Sequence, residues 1–334
     1  MTPNSAMPAP LRVAAPAKVN LCLLVGPPRE DGYHDLLTVF APVDLVDEIE
    51  LSLLAGPPEG TREPLRVHCP GIEQSHNLMA RALDLLEEAT GWHVGGAIKV
   101  KKGIPIGAGL GGGSSDAAIA LQQGLQVIAG AGGPLLQPAE VVALARSIGA
   151  DVPFFLDPRA ALARGVGDRL QPLALPEIPL VIVLPHEQLS TSEAYRTYDG
   201  VAPEESPAAF RARAERAARA WRAVSGAWNS GELTSLEAAV QISGLLANDL
   251  ERASFHLLPP LIERKAALER HGVLGALLSG SGPSLFGVCQ SLGHARSVAK
   301  ALRAEGMPAQ AAVAGGVPPA EGPRPTADGA RARD

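Results

Sequence analysis

The chain has 334 residues, with 29 basic and 35 acidic side chains and a formal net charge of −6. The length predicts two domains, and the charge excludes a general nucleic-acid binder, which would carry a basic face. Three cysteines lie far apart without a C-x-x-C pair, so we expect no disulfide framework, no cysteine metal site and a cytoplasmic location. We also expect no signal peptide and no membrane span, since no apolar run approaches about 18 residues. Nothing in the sequence indicates the oligomeric state.

The chain begins with a predicted disordered lead-in over residues 1–10, followed by a strand over 11–25 that is interrupted at Pro16. Lys18 and Asn20 are two residues apart, so both side chains leave the same face of that strand. An edge strand with one solvated lysine would explain the pattern. The flanking residues are apolar on both faces, however, and a lysine in a buried strand needs an anion nearby.

A turn-rich loop over residues 26–34 ends in Tyr33 and His34. The tyrosine ring offers a face on which a base can stack, and the histidine ring offers a nitrogen to the edge of a base. A hairpin turn with an aromatic lid is the alternative. Strands are predicted over 36–46, 48–54 and 65–69, and an amphipathic helix over 77–89 has Asn77 as its candidate N-cap.

A glycine-rich stretch over residues 103–118 stands between a predicted strand and a predicted helix. Glycine lets the backbone approach a ligand closely and adopt positive φ. A glycine run that leads into a helix start directs backbone N–H groups and the positive end of the helix dipole at one point, which favours phosphate. Ser114 and Ser115 suit the N-cap and the first turn.

Three alternatives to a phosphate loop of this kind fit the stretch less well. A flexible linker is disfavoured because periodic segments flank it on both sides. A dinucleotide site needs an acidic residue about 20 positions on, and none occurs between Asp116 and Glu140. A P-loop needs a lysine directly after the last glycine, where Ser114 stands instead.

The chain beyond the glycine loop predicts helices over 115–128 and 138–148. Asp151 precedes a proline-containing segment, where a turn or helix-cap role is common. A proline-rich stretch from Pro172 to Pro179 predicts a domain boundary. The second half predicts a buried strand over 180–184, helices over 203–225 and 257–272, a strand–glycine turn–strand over 271–288, a helix over 293–306, a strand over 309–313 and a disordered tail over 315–334.

The motif Pro105-x-Gly-x-Gly-Leu-Gly-Gly-Gly-Ser-Ser-Asp-Ala-Ala118 resembles the phosphate-binding motif of the kinases that include galactokinase, homoserine kinase, mevalonate kinase and phosphomevalonate kinase, the GHMP kinases. Its Gly-Gly-Gly-Ser-Ser form is similar to the branch that acts on a diphosphocytidyl-methylerythritol. Further segments resemble that branch in the same order: Pro16–Leu21, Arg29–His34, Gly149–Phe155, Ser190–Tyr195 and Ser279–Pro283. The resemblance extends over about residues 11–313, but residues 200–245 match nothing in it.

This resemblance implies two α+β domains with the active site in the cleft between them. The N-terminal GHMP-kinase domain, of the ribosomal protein S5 domain 2-like type, would span residues 11–171. The C-terminal domain, a ferredoxin-like α/β sandwich, would span residues 172–314.

The resemblance also implies a role for each matching residue. Lys18 and Asp151 would be catalytic. The substrate would contact Asn20, Tyr33, His34, Thr191 and Tyr195, and a second glycine loop, Gly280, Ser281 and Gly282, would face the site. ATP would contact Asn77, Pro105, Gly107, Gly109, Leu110, Gly111, Gly112, Gly113, Ser114 and Ser115.

The implied reaction transfers the γ-phosphate of ATP to a tertiary hydroxyl of a small molecule that carries a cytidine diphosphate. Mg²⁺ would bridge the phosphates, with Ser115 as its candidate ligand. The residues leave open whether Asp151 removes the hydroxyl proton or only orients the hydroxyl. Two alternatives remain: a sibling kinase for mevalonate or homoserine, and a non-catalytic nucleotide-binding protein with the same fold.

Overall fold

The computed structural model describes residues 9–59 and 63–315, so most of the predicted lead-in and tail lies outside the described residues. Its strands are β1 (Leu11–Pro28), β2 (His34–Gly56), β3 (Leu65–His68), β4 (His93–Lys101), β5 (Ala161–Gly165), β6 (Arg169–Pro172), β7 (Ile178–Val183), β8 (Ala247–Asn248), β9 (Gly275–Leu278), β10 (Leu285–Val288) and β11 (Ala309–Ala314). Its α-helices are α1 (Leu78–Thr90), α2 (Gly112–Gly130), α3 (Pro138–Ile148), α4 (Val152–Phe155), α5 (Thr191–Val201), α6 (Pro207–Asn229), α7 (Ser235–Ser243), α8 (Glu251–Leu257), α9 (Pro260–Arg270) and α10 (Leu292–Ala304).

Strand β2 is the centre of the sheet. It pairs antiparallel with β1, β4, β5 and β11, and the longest path through the sheet runs β3-β4-β2-β11-β7-β10-β9. Strand β11 joins β2 through Ala314 and Val43 and pairs with β7 along its whole length. One sheet therefore passes through both predicted halves of the chain, and the predicted α+β class is confirmed.

Helices cover the sheet over three buried apolar clusters. One cluster packs α1, α2 and α3 against β2 and β4, with Leu83, Ile98 and Leu121 in its interior. Another packs α9 and α10 against β7, β9 and β10. The largest contains Leu21 of β1, Leu180 of β7 and Trp221 of α6. Because this last cluster draws on both halves of the chain, the two halves share a core.

Two predicted interruptions of the strands are wrong. Strand β1 continues through Pro16. Proline has no N–H to donate to the neighbouring strand, and the pairing with β2 shifts register between Pro16 and Ala17. Strand β2 continues through Asp47, which is fully buried. The Asp47 carboxylate accepts hydrogen bonds from the backbone N–H groups of Gly103 and Ile104 at 2.7 and 2.9 Å, so a charged residue can occupy the interior of the strand.

The helix predictions hold with one correction. Helix α3 has the bounds predicted from the sequence, and the side chain of Asn77 caps α1 by accepting from the N–H of Met79 at 2.9 Å. The helix predicted over 257–272 is α9, which begins only at Pro260, because Leu257 ends the preceding helix α8 and Pro260 suits the first position of a helix. None of the helices within the described residues is long and apolar enough to cross a membrane.

The boundary after residue 171 stays a prediction. Strand β6 ends at Pro172 and β7 begins at Ile178. Helix α6, in the segment without a sequence counterpart, contributes Trp221 to the core shared by both halves.

Replacing Trp221, which is 1% exposed, tests that shared core. Trp221→Ala should lower the free energy of unfolding by about 3–5 kcal/mol, because a large cavity would open between β1 and α6. Denaturant titration measures the change. Arg219→Ala on the exposed face of the same helix is the control and should stay within about 0.5 kcal/mol of wild type. Similar losses in both variants would contradict the shared core, because alanine is the better helix former and helix propensity alone would destabilise neither variant.

Candidate active site

A cavity of about 1000 Å³ opens where the glycine loop, β1, the start of β2, α5 and the turn between β9 and β10 meet. The structure brings most of the predicted site residues to its wall. Asn77, Ser115 and Gly282 are not part of the wall. Those that line it are Lys18, Asn20, Tyr33, His34, Pro105, Gly107, Gly109, Leu110, Gly111, Gly112, Gly113, Ser114, Asp151, Thr191, Tyr195, Gly280 and Ser281.

The glycine loop has the backbone geometry of a phosphate cradle. Gly107, Gly109 and Gly111 all have positive φ, between 69° and 74°. Gly111 is the N-cap of α2. The N–H groups of the first turn therefore have no acceptor within the helix, and they lie at the helix end that borders the cavity. The prediction that a serine caps α2 is wrong, because the left-handed cap position needs glycine. Ser114 and Ser115 lie in the first turn.

The second glycine loop packs directly against the first. The Ser279 hydroxyl donates to the carbonyl of Gly109 at 3.1 Å, and the N–H of Ser284 donates to the carbonyl of Ala108 at 3.2 Å. A Cβ on Gly109 would lie 2.5 Å from the Ser279 carbonyl oxygen. Thr191 at the start of α5 shares a 3.0 Å hydrogen bond with Ser281. The two loops and α5 thus form one continuous edge of the cavity.

Lys18 holds a buried ammonium group at the floor of the cavity. Its Nζ donates to the side-chain oxygen of Asn20 at 2.7 Å and to the carbonyl of Gly109 at 3.2 Å, and it lies 3.5 Å from Oδ2 of Asp151. Asn20 in turn donates to Thr38 at 2.8 Å, which fixes the direction of its amide. The predicted shared face of Lys18 and Asn20 is confirmed, and the solvated-lysine alternative is wrong, since Lys18 is 4% exposed.

Asp151 stands at the N-cap position of the short helix α4, yet its side chain makes no capping hydrogen bond. Its carboxylate instead faces Lys18 and the cavity, with its side chain about one-third exposed. A helix-cap role therefore does not account for this residue. Because the carboxylate is open to the cavity and makes no capping hydrogen bond, it is available to a ligand.

The aromatic residues gather at the other end of the cavity. Tyr33 is 62% exposed, whereas His34 is buried. The ring of Tyr195 lies 5.3 Å from that of His34, centroid to centroid, with the planes tilted by 36°. Burial raises the pKa of Tyr195, and the Asp151 carboxylate raises it further. The three rings come from loop 26–34 and from α5, so the cavity joins segments more than 150 residues apart.

A buried ion cluster beneath the glycine loop has no counterpart in the sequence analysis. The Nζ of Lys102 lies 2.5 Å from Oδ2 of Asp47 and 3.1 Å from Oδ2 of Asp116. Burial raises the pKa of Asp116, and Lys102 partly offsets that effect. The second oxygen of Asp116 and the hydroxyl of Ser115 have no hydrogen-bond partner within the described residues. The signal in the sequence was a lysine before the loop and an aspartate after it.

Comparison with known proteins identifies the family. The model of the GHMP kinases N terminal domain matches residues 77–157, and that of the GHMP kinases C terminal matches residues 227–307. The 4-diphosphocytidyl-2-C-methyl-D-erythritol kinase of Thermus thermophilus is 42% identical over 92% of this chain and 98% of its own length. The Geobacter metallireducens kinase of the same name is 35% identical over 87% and 94%.

The chain belongs to the 4-diphosphocytidyl-2-C-methyl-D-erythritol kinase family. A crystal structure of a 4-(cytidine 5'-diphospho)-2C-methyl-D-erythritol kinase matches with a TM-score of 0.67 and 39% identity, covering 92% of this chain and all of that one. A homoserine kinase from Cytophaga hutchinsonii matches with a TM-score of 0.61 at 21% identity, which shows the shared fold alone. The resemblance found in the motifs is confirmed, and with it the two-domain α+β architecture of an ATP-dependent kinase.

Two residues of α5 near the cavity were not found by the sequence analysis. Asp199 lines the cavity beside His34, and Tyr198, which does not line it, donates its hydroxyl to the carbonyl of Val25 at 3.0 Å. The available signal was spacing, because Thr191, Tyr195 and Asp199 recur every four residues and so share one helix face.

The left-handed position of Gly111 can be tested by adding a Cβ. In Gly111→Ala that atom would lie 2.9 Å from the Phe155 ring and 3.0 Å from Cγ of Lys18. The free energy of unfolding should fall by about 1–3 kcal/mol, and displacement of Lys18 should reduce turnover. Denaturant titration and steady-state kinetics measure both effects.

Gly113→Ala is the matched control. The nearest atom to its Cβ would be Leu78 Cδ1 at an ordinary 3.6 Å, and the position is helical. This variant should keep or gain stability, by up to about 1 kcal/mol, while losing ATP affinity because its Cβ narrows the approach to the helix N-terminus. Equal destabilisation of both variants would contradict the conformational assignment of the loop.

Proposed function

We propose that this kinase transfers the γ-phosphate of ATP to the 2-hydroxyl of 4-diphosphocytidyl-2-C-methyl-D-erythritol, a step of non-mevalonate isoprenoid precursor biosynthesis. One observation carries the proposal. The Lys18 ammonium and the Asp151 carboxylate lie 3.5 Å apart in a cavity that also contains the glycine loop and the rings of Tyr33, His34 and Tyr195. A phosphate donor, an alcohol and a base each find suitable groups there.

The acceptor hydroxyl would sit between Lys18 and Asp151. The buried ammonium lowers the pKa of a neighbouring hydroxyl and attracts the Asp151 carboxylate to the same point. Asp151 accepts the hydroxyl proton while the substrate oxygen forms its bond to the γ-phosphorus and the bond from that phosphorus to the β–γ bridging oxygen breaks. The phosphate monoester and ADP together carry one more negative charge than ATP, and the proton that balances this charge passes from Asp151 to solvent.

The triphosphate would lie along the glycine loop. The free N–H groups of Gly112, Gly113 and Ser114 converge on the cavity at the N-terminus of a 19-residue helix, so its dipole adds to the attraction. The protein needs little covalent chemistry in phosphoryl transfer, because positioning and charge stabilisation lower the barrier. The predicted ATP contacts at Pro105, Leu110 and Asn77 belong to the same proposal, with Asn77 acting mainly as the cap of α1.

Mg²⁺ is proposed as the companion of ATP, and the residues present fit it. The Ser115 hydroxyl is buried without a hydrogen-bond partner, and Ser114 lines the cavity one residue earlier. The described residues contain no cluster of three or more acidic, histidine or cysteine side chains, which suits a cation that is held mostly by phosphates and water. When bound, Mg²⁺ would neutralise charge on the phosphates.

The base would occupy the aromatic end of the cavity. Tyr33 and Tyr195 offer ring faces, and His34 offers a ring nitrogen to the base edge. Mevalonate and homoserine carry no group that would use these rings, so the sibling kinase activities are disfavoured. A non-catalytic nucleotide-binding role does not explain why Lys18 and Asp151 lie together in the cavity, so this alternative is also disfavoured. ATP consumption assayed with the cytidyl substrate beside mevalonate and homoserine tests all three functions.

A cytoplasmic location completes the proposal. Cys22, Cys69 and Cys289 are free and buried, as suits a reducing compartment.

Removing the charge of Asp151 tests the proposed position of the acceptor hydroxyl beside this residue. Asp151→Asn should lower turnover by about 10²–10⁴-fold, since the amide cannot accept the proton. ATP affinity should stay within a few-fold, because Lys18 keeps its bonds to Asn20 and Gly109. Single-turnover kinetics and nucleotide titration separate the two effects. The control, Asp157→Asn, removes an exposed carboxylate paired with Arg159; activity of Asp151→Asn within tenfold of this control would remove Asp151 from the mechanism.

Truncating the aromatic end tests base binding. Tyr195→Ala should raise the KM of the cytidyl substrate by about 5- to 150-fold, taking about 1–3 kcal/mol per stacked base as the guide. Tyr195→Phe should be mild because the ring remains, and His34→Ala should match Tyr195→Ala by leaving the base edge unpaired. Steady-state kinetics decide, with the KM of ATP as internal control. An unchanged cytidyl KM in both alanine variants would refute the base assignment.

A further inference from the structure

The hydrogen bond of the buried His34 ring indicates which of its two nitrogens carries a hydrogen. Its Nδ1 lies 2.8 Å from the carbonyl oxygen of Gly26. A carbonyl oxygen only accepts hydrogen bonds, so Nδ1 is the donor. In the neutral ring, Nε2 therefore carries a lone pair and acts as an acceptor. Nε2 lies near Asp199, and both residues line the cavity.

Asp199 places a second acceptor beside that nitrogen. Its Oδ1 lies 3.5 Å from Nε2 of His34, its side chain is 39% exposed, and it lines the cavity. With a neutral ring this contact is a close approach of two acceptors with no hydrogen between them, and not an ion pair. The distance exceeds that of a good hydrogen bond, so a ligand group can be shared between the two acceptors.

Helix α5 presents Asp199 on the face that carries the aromatic wall. Tyr195 and Asp199 are four residues apart, so their side chains are neighbours on the helix surface. The helix is held in place by the hydroxyl of Tyr198, which donates to the carbonyl of Val25 at 3.0 Å, and by the N-cap hydroxyl of Ser190. A flat ring packed against Tyr195 would therefore turn one edge toward Asp199 and Nε2.

We infer that Asp199 is a specificity-determining residue that accepts a hydrogen bond from the exocyclic amine of the substrate's base, with Nε2 of His34 as the second acceptor, and so selects cytosine over uracil. This inference rests on the proposed function.

The chemistry of the two bases explains the selection. The C4 amine of cytosine donates two hydrogens, which two adjacent acceptors can take. Uracil carries an oxygen at C4, and that oxygen would face a carboxylate and a lone pair with no donor between them. A site built around a substrate N–H rejects an analogue that lacks it, because its own polar groups would be left unpaired.

The test compares kcat/KM for the cytidyl substrate and its uridyl counterpart in wild type, Asp199→Asn and Asp199→Ala. Wild type should favour the cytidyl substrate strongly. Both variants should reduce that ratio by about 5- to 150-fold, the usual range for one base-edge contact. The change should appear in KM, with kcat within twofold, because Asp199 does not touch the reacting atoms. Asn can turn its amide to donate to uracil, so Asp199→Asn should gain uridyl turnover.

Glu193→Gln is the matched control, since it removes a negative charge from α5 at an exposed residue that does not line the cavity. It should leave the ratio unchanged. A cytidyl-to-uridyl ratio within twofold of wild type in both Asp199 variants would overturn the inference. Absence of turnover with either pyrimidine substrate in wild type would instead overturn the proposed function.

A third substrate tests the inference in the wild-type protein, so the result does not depend on whether a variant folds. A pyrimidin-2-one analogue, with hydrogen in place of the C4 amine, should raise KM in wild type by about tenfold or more, within the range expected for one base-edge contact. Replacing the amine of the substrate by hydrogen should raise KM much less in Asp199→Ala, because that variant has already lost the main acceptor of the amine. An unchanged KM in wild type, or an equal rise in both proteins, would show that Asp199 does not bind the amine.

Discussion

The buried ammonium of Lys18 is the interaction on which the rest of the site depends. A charge with 4% exposure is tolerable only if other groups replace its hydration. Asn20, the Gly109 carbonyl and Asp151 supply that replacement. They come from β1, the glycine loop and the start of α4, so satisfying one cation fixes three segments relative to one another. The same requirement places a carboxylate and an ammonium where a hydroxyl would react.

A second buried charge supports the glycine loop from below. Lys102 lies between Asp47 and Asp116, and Asp47 also accepts from the N–H groups that begin the loop. Buried ion pairs add little net stability after desolvation, but removing one partner would leave an uncompensated charge. The cluster therefore defines the position of the loop more than it strengthens the fold. It links β2, the central strand, to the N-terminal part of α2 through Asp116.

Helix α6 has a structural role that its unmatched sequence did not indicate. Its Arg213 pairs with Asp249 at 2.8 Å, and Asp249 accepts from the N–H of Val25 at 2.7 Å. Phe210 packs against Gly26, the residue whose carbonyl orients His34. The helix thus packs behind Gly26, outside the cavity. A segment in which no motif was found can still hold a functional carbonyl, because only packing and one ion pair are needed.

The sequence by itself determined most of the elements, though not α5, α7 or α8, and it determined the phosphate loop and the family, because glycine spacing, apolar periodicity and residue motifs are local properties. It placed Lys18 and Asn20 on one face for the same reason. The sequence wrongly predicted a break in β2 at Asp47. Nothing in the local sequence shows that Lys102 and two loop N–H groups compensate the charge of the buried carboxylate. Only the tertiary structure decided that Asp151 faces Lys18 and that Asp199 faces His34, because these pairs are more than 130 residues apart in the chain. Contacts of that kind depend on how strands and helices pack, and no local pattern encodes them.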